Sequence, residues 1–324
     1  MTDGNAPEFI TLARTVLLPS LAALAAARSA QPLCMQASEL ILNSDGSIYH
    51  LNLLPEQIAP TIITVGDPDR VPLVSRYFDR IEVRVQRREF HTHTGELNGR
   101  RLSVISTGIG TDNVDIVLNE LDALFNVDFA ERRVRNELQR LDLIRIGTTG
   151  SMQAHIDVDE FLASAWAIGS DGLLPYYQRP EDLPQRSVAL RQSLLDYLKQ
   201  HEFSLPNTPY VAPGSETLLD RLDDQFHRGI TVTCPGFYGP QGRQLRLPTV
   251  RRDLPELLRD FQFDGLHCTN FEMETAGIYG LGTLLGHRVL SCNAVLANRI
   301  TKRFSTQPDR TIDRLIRTVL ERLQ

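Results

Sequence analysis

Residues 141–150 of this chain, LDLIRIGTTG, combine a strongly apolar run with one guanidinium, two hydroxyls and two glycines. The pattern predicts a buried strand that ends in a tight turn, where backbone N–H groups and the two hydroxyls lie exposed. Arg145 keeps its charge when buried, so it needs a fixed carboxylate or an anion beside it. Ligands of open α/β sheets collect at the carboxyl ends of the strands, so Arg145, Thr148 and Gly150 together suggest an anion pocket. The alternative is a core arginine held by an ion pair. A second group follows residues 61–65, TIITV, which predict another buried strand. Gly66 admits close backbone approach there, Asp67 suits an N-cap, and Pro68 suits the first position of a helix running to Phe78. Arg70 falls in the first turn of that helix, where the dipole disfavours a cation unless an anion sits between them.

A third group follows a strand expected over 229–234. The loop Pro235-Gly-Phe237-Tyr238-Gly-Pro240-Gln241-Gly-Arg243 holds adjacent aromatics, an amide and a guanidinium, a mixture able to stack on and hydrogen-bond a planar ring. His91 and His93 have the spacing that places two imidazoles on one strand face. No third ligand stands nearby, so a solvated face is expected and no metal site. Thr107-Gly-Ile-Gly110 matches a phosphate loop only loosely, since neither the later glycine nor a lysine follows.

The elements that would position these groups alternate along the chain. Asn98-Gly99 marks a two-residue hairpin inside residues 81–106, whose first strand carries Arg87-Arg88-Glu89-Phe90 straight into His91. A helix through Leu124 follows Gly110, and residues 128–140 form a charged, solvated excursion. Strands are expected over 158–168 and 287–296, and helices over 188–200 and 311–323. Another helix begins at Phe271, placing Glu272 and Glu274 in its first turn, and ends near Gly286. The order predicts an α/β fold: a single domain with a central mixed β-sheet flanked by helices.

Composition narrows the function classes. With 34 basic and 40 acidic residues the formal net charge is -6, which argues against nucleic acid or an anionic membrane as partner and leaves phosphate chemistry to local arginines. Four widely spaced cysteines without a CxxC pair point to a reducing, cytoplasmic setting and against a zinc site or disulfide framework. Residues 16–27, VLLPSLAALAAA, are too short to span a bilayer, and Asp3, Glu8 and Pro19 fit a secretory leader poorly. Residues 1–37 are therefore expected to be a mobile or helical extension, with Met35 as a candidate start, ahead of a domain over 38–324.

In this order the motifs resemble those of nucleoside phosphorylases, and most closely the uridine phosphorylases, from Ser38 to the end of the chain. The resemblance implies that Gly66, Arg70, Arg88, Arg145 and Thr148 hold inorganic phosphate, a co-substrate, with no cofactor. It implies that Arg88 and His50 reach the site across a subunit boundary, His50 meeting the ribose 5′-hydroxyl, in a homo-oligomer built from dimers with a hexamer as the expected assembly. Glu272, Met273 and Glu274 would contact the ribose, Glu274 on its 2′ and 3′ hydroxyls. Phe237, Tyr238, Gln241 and Arg243 would read uracil. Catalysis would then fall to Arg243, Gln241 and Glu274, with phosphate attacking C1′ through an oxocarbenium-like transition state while the pyrimidine leaves. Purine-acting relatives place an aspartate near the end of the late strand, and residues 293–299 hold no carboxylate, which favours a pyrimidine. Thr111-Asp112-Asn113 departs from the Gly-Pro-Ser of bacterial members, whose serine joins the glutamate matched here by Glu89 at a monovalent cation. The alternatives are a phosphorylase or nucleosidase for another nucleoside, deoxyuridine and thymidine included, and a non-catalytic nucleoside-binding protein.

Overall fold

A computed structural model describes residues 34–178 and 184–323. The extension expected over 1–37 lies outside the described residues up to position 33. The chain enters with β1 (Thr61–Val65) and a short helix α1 (Arg70–Ser75). This helix starts two residues later than expected and stops before Phe78. Asp67 instead closes a turn, its Oδ1 accepting the Asp69 N–H at 2.9 Å and its carbonyl accepting the Arg70 N–H at 3.0 Å.

Three antiparallel strands follow, β2 (Arg80–Arg87), β3 (Phe90–Leu97) and β4 (Arg100–Ser106). Asn98 and Gly99 both adopt positive φ at the second turn, as the two-residue hairpin requires. The continuous strand expected through residues 87–93 is broken, because Arg88 takes a φ of 54° and turns the chain at Arg88-Glu89. Gly110, at φ 97°, then opens α2 (Thr111–Asn126), and the charged excursion contains only the small ribbon β5 (Val127–Asp128) and β6 (Arg133–Val134).

The second half supplies β7 (Asp142–Ser151), β8 (Phe161–Gly169), α3 (Gln185–Gln200), β9 (Tyr210–Pro213) and α4 (Glu216–Leu219). After β10 (Phe226–Thr233) come α5 (Leu254–Arg259), β11 (Gln262–Phe263), β12 (Leu266–Glu272) and α6 (Thr275–Leu284). The chain closes with β13 (Arg288–Asn298), β14 (Arg303–Phe304) and α7 (Pro308–Arg322). Here too two expectations are corrected. The strand through residues 141–146 does not turn at Gly-Thr-Thr-Gly but continues to Ser151, and Phe271 and Glu272 end a strand rather than begin a helix.

Twelve strands form one mixed sheet in the order β11-β12-β10-β8-β13-β7-β1-β4-β3-β2, with β9 beside β8 and β14 beside β13. The fold class is thus the expected one, α/β with helices on both faces. Alternation along the central strands assigns the faces. Ile62, Ile105 and Leu143 pack against α2 and α6, whereas Ile63, Val104, Ile144 and Ile146 pack against α1, α4 and α7. A third core, Leu190, Leu194 and Leu198 of α3 with Leu254 and Leu257 of α5, covers β8, β10 and β12. Among the described residues, no helix is long and apolar enough to cross a membrane.

Candidate active site

The site is made where the sheet closes on itself. β7 pairs with β13, and its last residues also pair with the end of β12, Gly150 opposite Phe271 and Ser151 opposite Asn270. That closure brings two segments 120 positions apart in sequence to one cleft, of about 780 Å³. Its walls hold Gly66, Arg70, Arg145, Thr148, Phe237, Gln241, Arg243, Glu272, Met273 and Glu274.

One end is strongly charged. Arg145, 5% exposed, does not stand open to an anion alone: its Nη2 donates to Glu274 Oε2 at 2.5 Å and lies 3.3 Å from Glu272 Oε2. The ion-paired alternative for this arginine therefore holds. Burial works against its charge, but Glu272 and Glu274 outweigh it and raise the guanidinium above its ordinary range. Glu274 is pushed upward by burial, with Arg145 opposing and Glu272 adding to the shift. Its other oxygen accepts the Gly110 N–H at 2.8 Å, which ties the start of α2 to the cleft. Glu272 is occupied by the fold: Oε1 accepts Thr233 Oγ1–H at 2.5 Å, and Oε2 accepts the N–H groups of Glu274 and Thr275 at 2.9 and 2.8 Å, satisfying free donors at the start of α6. Arg70, half-buried, donates to the Ile146 carbonyl at 3.3 Å, and burial followed by the charge of Arg145 lowers its pKa. Two guanidiniums that line one cleft and act on each other's charge favour an anion between them.

The other end suits a flat polar ring. Gln241 is 2% exposed, and its Oε1 accepts a hydrogen bond from Arg243 Nη1. That same Nη1 donates to the Phe237 carbonyl at 2.8 Å, and the guanidinium carbon lies 3.8 Å from the Phe237 ring centroid. The aromatic face and the amide edge are therefore held by one arginine. Burial, reinforced by Arg299, pushes Arg243 down to about 10.

Three expected residues lie elsewhere. Tyr238 faces a neighbouring apolar cavity, lined also by Leu205, Leu247 and Val250, that meets the cleft only at Arg243. Arg88 is exposed at its turn and lies over the ring of Tyr49, 5.9 Å from the centroid. His50 packs edge-on against the same Tyr49, with its Nδ1 2.6 Å from Glu120. Arg88 and His50 thus share one patch around Tyr49 and contribute nothing to the cleft of their own chain. His91 and His93 do meet edge-to-face on one strand face, 4.6 Å between ring centroids, but that face is not solvated. His93 is buried, with its Nδ1 2.7 Å from Ser75 Oγ, because α1 covers it.

Residues 60–321 match the family model of the Phosphorylase superfamily. The chain belongs to that superfamily. It is 30% identical over 263 residues, 80% of each chain, to uridine phosphorylase of Thermococcus kodakarensis. The solved structure of a Trypanosoma brucei nucleoside phosphorylase, described as showing uridine phosphorylase activity, superposes with a TM-score of 0.79 at 27% identity, covering 88% of this chain and 99% of that one. A DeoD-type purine nucleoside phosphorylase of Alkaliphilus metalliredigens is 26% identical over 81% of this chain and 92% of its own.

Arg299, a residue that motif spacing does not single out, supports the cleft from behind Gln241. It lies beyond β13, and its Nη2 donates to the Gln241 carbonyl at 3.0 Å while its Nη1 is buried without a partner. A buried guanidinium N–H with nothing to bond is an unusual cost, here borne directly behind the backbone of Gln241. The signal available in sequence was only an arginine just after a long apolar strand, a weaker cue than the arginine inside the apolar run at Arg145.

Proposed function

We propose that the chain catalyses phosphorolysis of uridine to uracil and ribose 1-phosphate. The observation that carries the reading is a single cleft with paired guanidiniums, Arg70 and Arg145, at one end and a buried amide–arginine–phenyl cluster, Gln241, Arg243 and Phe237, at the other. A phosphate oxygen attacks C1′ as the C1′–N1 bond breaks, and the bonding pair leaves on the uracil ring. Gln241 offers an amide N–H to a ring carbonyl and a remaining lone pair of Oε1 to N3–H, while Arg243 and Arg299 stabilise the charge that develops on the ring. Glu274 accepts from the ribose hydroxyls in this reading, through the lone pairs that Arg145 and Gly110 leave free.

Charge balance supports a site completed across subunits. Arg70 and Arg145 face Glu272 and Glu274, so ionised carboxylates leave no net positive charge for a phosphate dianion. Arg88, exposed beside His50 on the Tyr49 patch, supplies the missing cation if a second copy presents that patch to the cleft. The test is uracil release from uridine with and without phosphate. Turnover is expected only with phosphate or arsenate. Equal rates in their absence would replace this reading with a hydrolase.

A further inference from the structure

Arg145 leaves β7 and folds back over Gly147, where a Cβ would lie 1.8 Å from its Nη1 and 2.5 Å from Asn293 Oδ1. The glycine clears a path across the strand to β13, whose Asn293 is paired in register with Gly147. There Arg145 Nη1 donates to Asn293 Oδ1 at 2.6 Å. Asn293 is fully buried and is itself oriented, its Nδ2 donating to Ser291 Oγ at 3.2 Å, and Ser291 Oγ lies 2.8 Å from Thr275 Oγ1 at the start of α6. A guanidinium bonded only through Nη2 could rotate about that bond toward the two carboxylates. A second acceptor on a different strand fixes its plane.

We propose that Asn293 is a positioning residue that sets the orientation of Arg145 and thereby the affinity of the site for phosphate. The proposal deepens the phosphorolytic reading and rests on it for the identity of the anion. A neutral acceptor suits the place: Arg145 already carries two carboxylates, and a third would oppose an incoming dianion. Asn293 touches no substrate in this account, and its effect passes through the guanidinium.

Two variants and two readouts test it. Asn293→Ala removes the acceptor, and loss of one hydrogen bond to a charged group corresponds to about a 10- to 150-fold rise in the phosphate KM. The uridine KM should move by less than about threefold, a split that general loosening of the core would not produce. Asn293→Asp keeps the shape and the acceptor but adds charge, so its phosphate KM should also rise by about tenfold or more, and it carries the test if the alanine variant fails to fold. The second readout needs no turnover: the rise in Tm caused by inorganic phosphate should be present in the wild type and much reduced in both variants. A phosphate KM within twofold of wild type in the folded variants overturns the proposal. So does a wild type whose Tm does not respond to phosphate. A wild type that responds to phosphate but does not release uracil would reject the phosphorolytic reading alone, with the thermal comparison then deciding the role of Asn293.

Discussion

Replacing Gln241 with alanine should collapse discrimination between uridine and cytidine. Gln241 is 2% exposed, and Arg243 holds its Oε1, so the amide cannot turn over to suit a different base without breaking that bond. Cytosine has no hydrogen on N3 and places an amine where uracil has a carbonyl. Bound in the same pose, it would leave Oε1 facing a lone pair and Nε2 facing another donor. Each buried group left unsatisfied costs about 1–3 kcal/mol, so two correspond to ~30-fold to ~10⁴-fold selection for uridine. The alanine variant lacks both groups, and its ratio of kcat/KM values for uridine and cytidine should fall below about tenfold. Arg243→Ala should lower kcat and also erode part of the ratio, because it frees the amide as well as removing charge from the leaving ring. The assay is initial-rate phosphorolysis of both nucleosides at saturating phosphate. Equal turnover of cytidine and uridine by the wild type, or an unchanged ratio in Gln241→Ala, would refute the assignment of this loop even if phosphorolysis itself stands.

Three further outcomes are expected. Mixing inactive Arg88→Ala and Glu274→Ala chains after dissociation should restore part of the activity, because some mixed sites would combine an intact cleft with an intact Arg88; no recovery, or a fully active monomer in sedimentation, would contradict a site shared between subunits. Glu274→Gln should fold, since Glu272 still lies 3.3 Å from Arg145, yet lose about 10- to 150-fold in kcat/KM for uridine, the range for one charge-assisted hydrogen bond; an unaltered value would remove Glu274 from the site. His93 is depressed to about 4 from 6.5 by burial, with His91 and Arg84 adding to it. Because its folded pKa lies below the unfolded one, the unfolded chain takes up the proton first, and stability present above pH 6.5 is lost as pH falls toward 4. His93→Gln should flatten Tm against pH over that window, and an unchanged slope would assign the acid sensitivity to other groups.

How much of this was legible in sequence depends on which force places each residue. Burial places Arg145, and an arginine inside an apolar run is visible without a structure. The helix start expected at Asp67 and the hairpin at Asn98-Gly99 were read from turn chemistry; the hairpin stands and the helix start moves by two residues, a difference that leaves Arg70 in the cleft. β12 was missed for a physical reason. Its inward face is polar, with Asn270 Oδ1 accepting from Thr231 Oγ1 at 2.9 Å and Asn270 Nδ2 donating to Thr149 Oγ1 at 2.9 Å, so hydrophobic periodicity carries no trace of the strand. Those bonds fasten β12 between β10 and β7, and the same fastening carries the end of β7 past the turn expected at Gly147. Once the two strands are paired, Glu272 and Glu274 must arrive beside Arg145, and the choice between anion pocket and ion pair dissolves: the arginine has carboxylate partners now and lines a cleft where an anion can compete for it. Arg88 and His50 enter only by resemblance, since nothing in their local sequence marks them as site residues. Their shared position around Tyr49 puts a cation and an imidazole on one surface patch outside the cleft of their own chain.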